Sequence, residues 1–84
     1  MTIPPFGGTG TQITNTATLN TSIRSYCTTN SIPYVDLFAD MDDPANPGHL
    51  KAIYDAGDGM HLSTAGQRRA AALTYATGHT AGYW

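Results

Sequence analysis

The chain has 84 residues, nine glycines, five prolines and one cysteine, and a formal charge of −2 with only four Lys and Arg. That length holds one small domain with a marginal core, and a single cysteine closes the internal-disulfide route by which small domains are often reinforced. The charge lacks the footprint of a nucleic-acid binder or a polybasic membrane-surface protein, no run of about 18 apolar residues is present to cross a bilayer, and the 40% apolar content argues against disorder.

Residues 1–12 read as the tail of a strand and a turn-rich loop. Thr2-Ile3 can be extended, Pro4-Pro5 blocks a helix, and Gly7, Gly8 and Gly10 make the next stretch a loop. Residues 13–29 carry a helical period, with Ile13, Ala17, Asn20, Arg24 and Cys27 near one face, although Thr14, Thr16, Thr18 and Thr21 weaken the propensity. Asn30-Ser31 is a plausible stop. The run Ile-Pro-Tyr-Val-Asp-Leu-Phe over 32–38 predicts a short strand with Pro33 near its start. Residues 39–62 form a long loop with a helical turn expected near His49–Tyr54, and a loop of that length in so small a chain points to function or incomplete structure. Residues 64–77 are the clearest helix: Thr64 and Gln67 have capping-box spacing, alanines fill the body, and Gly78 is placed as the residue past the end. Residues 79–84 form a short tail. The alternation of helix, strand, long loop and helix predicts an α/β class.

One constellation could carry chemistry. In Asp55-Ala56-Gly57-Asp58-Gly59-Met60-His61, an Asp precedes a His by three residues in a glycine-containing loop that ends at a helix N-terminus. A carboxylate beside imidazole Nδ1–H fixes the tautomer, leaves Nε2 as an acceptor, and stabilises the imidazolium once a proton arrives. Taken alone, Asp-x-x-His is a common pattern, and on spacing alone a solvated loop with an Asp-capped turn is the better reading.

Asp58-Gly59-Met60-His61 followed by Gly66 resembles the last motif block of the SGNH hydrolases, the GDSL esterase/lipase family. Tyr54-Asp55-Ala56-Gly57 is similar to the lead-in of one subgroup. Thr2–Gly8 resembles the end of its penultimate strand, Leu19–Arg24 its Asn-x-x-Ile-Arg helix, and Tyr34–Leu37 its last strand. The resemblance runs in order over nearly the whole chain. It implies that residues 1–84 are a single partial domain, the C-terminal part of an α/β/α, flavodoxin-like sandwich, with Asp58 as orienting acid and His61 as general base. The family's Gly-Asp-Ser nucleophile block and its Gly and Asn oxyanion-hole blocks have no counterpart here. The resemblance therefore implies two-step acyl transfer on a lipid, acyl or acetylated-carbohydrate ester in an enzyme completed by a missing N-terminal part, with no cofactor and no metal. The isolated chain is expected to be inactive, and poorly stable because a parallel sheet needs both faces covered. Low lysine and abundant threonine fit a secreted parent, although residues 1–8 show no signal-peptide pattern.

Other candidates are weaker. Ser63, two residues after His61, reads as a polar group opening a helix rather than a nucleophile, and Ser22, Ser25 and Ser31 have no base near them in sequence. His49, His61 and His79 match no compact zinc spacing. Asp40, Asp42 and Asp43 match no calcium loop and read as a solvated cluster. Asn20-Thr21-Ser22 is a formal glycosylation sequon inside a predicted helix, read as structural. Cys27 reads as a small apolar residue on a buried helix face. Tyr83 and Trp84 read as a frayed terminus. Two competing readings are a non-catalytic interaction module derived from the same half-fold, and a small metal-binding protein.

Overall fold

The computed structural model describes all 84 residues. Three α-helices follow in order, α1 (Gly10–Thr29), α2 (Leu37–Met41) and α3 (Thr64–Thr80), with a single 3-10 turn at Ala52–Tyr54 before α3. α1 starts three residues before the periodic run because Thr9 and Gln12 form a capping box: Gln12 N–H donates to Thr9 Oγ1 at 3.2 Å and Thr9 N–H donates to Gln12 Oε1 at 2.8 Å. It stops where expected, with Asn30 as C-cap. α3 is capped by Ser63, not Thr64; Ser63 Oγ accepts from Gly66 N–H at 3.1 Å. α3 also runs through Gly78 to Thr80. Gly78 is buried against the Trp84 ring, so the absent side chain serves packing instead of helix termination.

The α/β sandwich expected from the sequence is not what forms. The chain is 54% helical and contains no strand and no sheet. Ile32–Asp36, the front of the expected strand over 32–38, carries no regular secondary structure and no ladder, and Leu37 and Phe38 already belong to α2. Asp36 causes the switch: its carboxylate accepts from Ala39 N–H at 3.1 Å and caps the helix. The other expected strand, at Thr2-Ile3, shares one main-chain hydrogen bond with this segment, Thr2 N–H to Val35 C=O at 2.9 Å. A ladder needs repeated pairing, and isolated two-stranded pairs are marginal even when complete. Pro4, Pro5 and Pro33 remove donors, and both main-chain groups of Ile3 are taken by a side chain.

That side chain is Asn20 in the middle of α1, 1% exposed. Its Oδ1 accepts from Ile3 N–H at 2.7 Å and its Nδ2 donates to Ile3 C=O at 2.9 Å. The sequon residue is thus committed to the interior. A second junction lies one turn on. Arg24 donates to Asp36 through Nε (2.7 Å) and Nη2 (3.0 Å), Thr2 Oγ1 donates to Asp36 Oδ1 at 2.9 Å, and Phe38 N–H donates to Thr2 Oγ1 at 3.0 Å. The guanidinium, foremost, holds the Asp36 carboxyl below its usual range.

The apolar core is small: Val35, Leu37, Met41 and Leu50, with Tyr54, Leu62, Ala70 and Leu73 packed against it. α3 is tied to α2 by Arg69, which forks onto Asp40 at 2.6 and 2.9 Å. Its N-terminus lies against the 3-10 turn through Gly66, where a Cβ would come within 2.9 Å of the Tyr54 carbonyl oxygen. Ser63 Oγ donates to Ile53 C=O at 2.7 Å across the same junction. These contacts set the loop that precedes α3.

Removing the Asn20 amide strands two main-chain groups that water reaches poorly. Asn20→Ala is expected to lower unfolding free energy by about 1–3 kcal/mol, measured by urea denaturation, whereas Asn15→Ala on the exposed side of α1 is expected to stay within about 0.5 kcal/mol.

Candidate functional site

The segment from Tyr54 to Ser63 is pinned at both ends before its chemistry is considered. Ser63 N–H donates to Tyr54 C=O and Ala56 N–H donates to His61 C=O, both at 2.9 Å, and Asp55 and Leu62 form an isolated antiparallel bridge. Inside this ring two aspartates fold the backbone. Asp55 Oδ1 accepts from Gly57 and Gly59 N–H at 2.8 and 2.9 Å, and Asp58 Oδ1 accepts from Met60 and His61 N–H, each at 2.9 Å. Gly57 (φ +120°) and Gly59 (φ +74°) take backbone conformations that strain any L side chain.

With one Asp58 oxygen spent on the backbone, the other faces the imidazole. His61 Nδ1 lies 2.5 Å from Asp58 Oδ2. An ionised carboxylate only accepts, so Nδ1 is the donor and Nε2 carries the lone pair. The side chains are 77% exposed for His61 and 49% for Asp58. The hydrogen bond from His61, followed by those of the two backbone amides, holds the Asp58 carboxyl far below the usual carboxylate range. The same contact raises the imidazole above its ordinary value. Both shifts come from direct hydrogen bonding rather than burial.

The two residues singled out in the sequence are therefore brought together, with the orienting contact at Nδ1. The four serines lie elsewhere in the hydrogen-bond network or outside it. Ser63 Oγ is engaged by Ile53 and Gly66, Ser22 donates back to Thr18 C=O within α1, and none bonds to His61. The acidic cluster is dispersed into local roles: Asp40 pairs with Arg69, Asp42 accepts from Gly48 N–H at 2.8 Å, and Asp43 accepts from Ala45 N–H at 2.9 Å. No three His, Cys, Asp or Glu side chains gather as a metal site would require. His79 stacks on Tyr75 and contacts the Trp84 carbonyl through Nδ1 at 2.9 Å, so the C-terminal aromatics are held in place.

Two features are not apparent from the sequence reading. Asp55 braces the dyad loop, a role visible only as Asp-x-Gly spacing. The loop also walls a cleft of about 560 Å³, with Asp58, Gly59 and Met60 on one side and Gly7, Gln12 and His49 among the residues opposite. Another groove of similar size lies between the C-terminal ends of α1 and α3, beside Cys27, Ile32 and Ala76. Seventeen helical residues, about 25 Å of α3, separate that end from the dyad loop. Comparison with protein-family models, curated proteins and solved structures found no match to this chain.

Asp58 favours the imidazolium, so its contribution to stability through His61 is present below about pH 6.5 and fades as pH rises through the higher folded value. An NMR titration of His61 is expected to give a midpoint above about 6.5, and Asp58→Asn is expected to lower that midpoint toward the free-histidine value. An unchanged midpoint in Asp58→Asn would separate the two groups.

Proposed function

We propose that this chain supplies the acid–base half of a serine ester hydrolase, with Asp58 orienting His61 and His61 acting as general base. The observation that carries this reading is the 2.5 Å Asp58–His61 contact at Nδ1, on a side chain whose remainder is open to solvent. The Asp58-Gly59-Met60-His61 block followed by Gly66, which resembles the last SGNH-type motif, supports it from the sequence side.

The serine and the oxyanion-hole donors come, in this reading, from a segment N-terminal to these residues in the same domain. His61 Nε2 takes the proton of the serine hydroxyl as its oxygen bonds to the ester carbonyl carbon. The imidazolium then gives that proton to the departing alkoxide, leaving an acyl-serine. Water attacks the acyl carbon, losing its proton to Nε2, and the proton passes to the serine oxygen as the acid is released. Asp58 stays ionised throughout and keeps Nε2 aimed. Since the base must be neutral, the rate climbs with pH through the raised His61 midpoint.

A second reading, a non-catalytic interaction module, is favoured by the ten large apolar side chains left exposed, including Tyr26, Ile53, Tyr75 and Trp84. It gives His61 no essential role, and the two readings separate on that residue.

Alone, the 84-residue chain is expected to show no acyl-serine burst and no labelling by a fluorophosphonate. Expressed in frame with the coding sequence that precedes it, it is expected to hydrolyse p-nitrophenyl butyrate. There, His61→Ala or Asp58→Asn should lower kcat by about 10²- to 10⁴-fold, with the rising pH limb of the Asp58→Asn variant displaced to lower pH. A preceding frame without Gly-Asp-Ser and Gly-x-Asn-Asp, or a His61→Ala variant of unchanged kcat, would contradict the proposal.

A further inference from the structure

The loop that presents the dyad contains a main-chain bond prone to rearrange. In an Asp-Gly pair the side-chain carboxyl carbon can be reached by the next main-chain nitrogen, and glycine has no side chain to obstruct the approach. Asp58-Gly59 is such a pair, and no other aspartate or asparagine of the chain precedes a glycine. In the rearrangement, Gly59 N loses its proton to solvent and bonds to Asp58 Cγ. A carboxyl oxygen leaves as water, and a five-membered succinimide results. Water then adds back to one of the two imide carbonyl carbons. Breaking the N–Cγ bond restores Asp58. Breaking the bond between Gly59 N and the Asp58 main-chain carbonyl carbon leaves isoaspartate, in which the chain runs through Cβ and Cγ.

Burial does not protect this pair. The Asp58 side chain is 49% exposed, and a Cβ built on Gly59 would meet nothing within 4 Å, so neither water nor the closing ring is sterically excluded. Hydrogen bonds protect it instead. The nucleophile, Gly59 N–H, donates to Asp55 Oδ1 at 2.9 Å. A carboxylate oxygen against that N–H opposes the negative charge that nitrogen must develop before it attacks. The electrophile is also occupied. Asp58 Oδ1 accepts from Met60 and His61 N–H and Oδ2 from His61 Nδ1, so the carboxyl is turned past Gly59 toward later amides. These contacts keep it ionised, whereas loss of water needs the neutral acid.

Asp55 is the member of this set that touches the nucleophile, and it is itself anchored. Its Oδ1 also accepts from Gly57 N–H at 2.8 Å, its main chain bridges Leu62, and Ala56 N–H beside it donates to His61 C=O. We infer that Asp58-Gly59 is a latent site of succinimide and isoaspartate formation, and that Asp55 holds it in check by occupying the Gly59 amide. The product has a structural consequence. In isoaspartate the free carboxylate sits directly on Cα and the main chain gains a methylene, so the group that paired with Nδ1 is displaced and the dyad is lost. The inference needs no serine and no ester, and it stands apart from the hydrolase reading.

The test is to age the full chain near neutral pH, folded and in urea, and to locate isoaspartate by peptide mapping and by isoaspartyl methyltransferase labelling. The folded wild type is expected to form isoaspartate at position 58 at least about tenfold more slowly than the chain in urea. Asp55→Ala is expected to remove most of that difference. Asp55→Asn keeps an oxygen acceptor for Gly59 N–H and is expected to stay within about threefold of the wild type. Hydrogen exchange of the wild-type Gly59 amide reads the same contact without any variant, and is expected to be at least about tenfold slower than in an unstructured peptide. The isoaspartyl fraction is expected to lose the raised His61 midpoint. A folded wild type that isomerises as fast as the chain in urea, Asp55→Asn as fast as Asp55→Ala, a Gly59 amide exchanging at the unstructured rate, or an isoaspartyl fraction with the wild-type His61 midpoint would overturn the inference. None of these outcomes bears on whether His61 serves as a base.

Discussion

Asn20 grips Ile3 by both of its main-chain polar groups, and the placement of the N-terminal arm depends on that pair. A side chain 1% exposed in the middle of α1 sets where residues 1–5 run. One turn later Arg24 does the same for Asp36, which also collects Thr2 and caps α2. With four apolar residues forming the buried core, these polar junctions carry much of the specificity of the fold, since a buried amide leaves its partners unpaired in any other arrangement. The consequence reaches the site: the arm held at Ile3 continues into Phe6–Gly8, which rests on His49 and forms the wall opposite the dyad loop.

The dyad depends on the other end of the molecule. Gly66 lets α3 approach the 3-10 turn, Ser63 bonds across that junction, and Asp55 braces the intervening glycines. Asp58 then has one oxygen fixed by backbone amides and one free for Nδ1. An exposed ion pair is weak when held only by charge, because solvent screens it and two flexible side chains must be ordered. Here the carboxylate is already immobilised by its own backbone, so the imidazole is the only group left to order.

What could be read from residues alone divides along sequence separation. The Asp58–His61 contact spans three positions and follows from local turn chemistry, so it was legible. The helix over 64–77 was legible from its alanines and polar opening, and the end of α1 from Asn30. The start of α1 was missed because Gly10 masked the Thr9–Gln12 box. The strand over 32–38 failed for a different reason. Its β-branched and aromatic run does favour extended backbone, but a strand exists only with a ladder, and pairing is non-local. Nothing local signals that Asn20 occupies Ile3, and the one local sign of α2, Asp36 as an N-cap, sits inside an apolar run that reads as a strand. The SGNH-type resemblance brought the sandwich with it, and the helical fold replaces that sandwich while the dyad contact forms within its own loop. The cleft lay beyond sequence reading because it joins residues 6–16, 49 and 58–60.

The central claim is that Asp58 presets His61 as a base with its lone pair at Nε2. The most direct measurement is the imidazole nitrogen and proton NMR spectrum of His61 above its titration midpoint. The account predicts a protonated Nδ1 with a strongly deshielded proton shared with Asp58, an unprotonated Nε2, and loss of that pattern in Asp58→Asn. A His61 ring protonated at Nε2, or averaging between tautomers as a free histidine does, would contradict it.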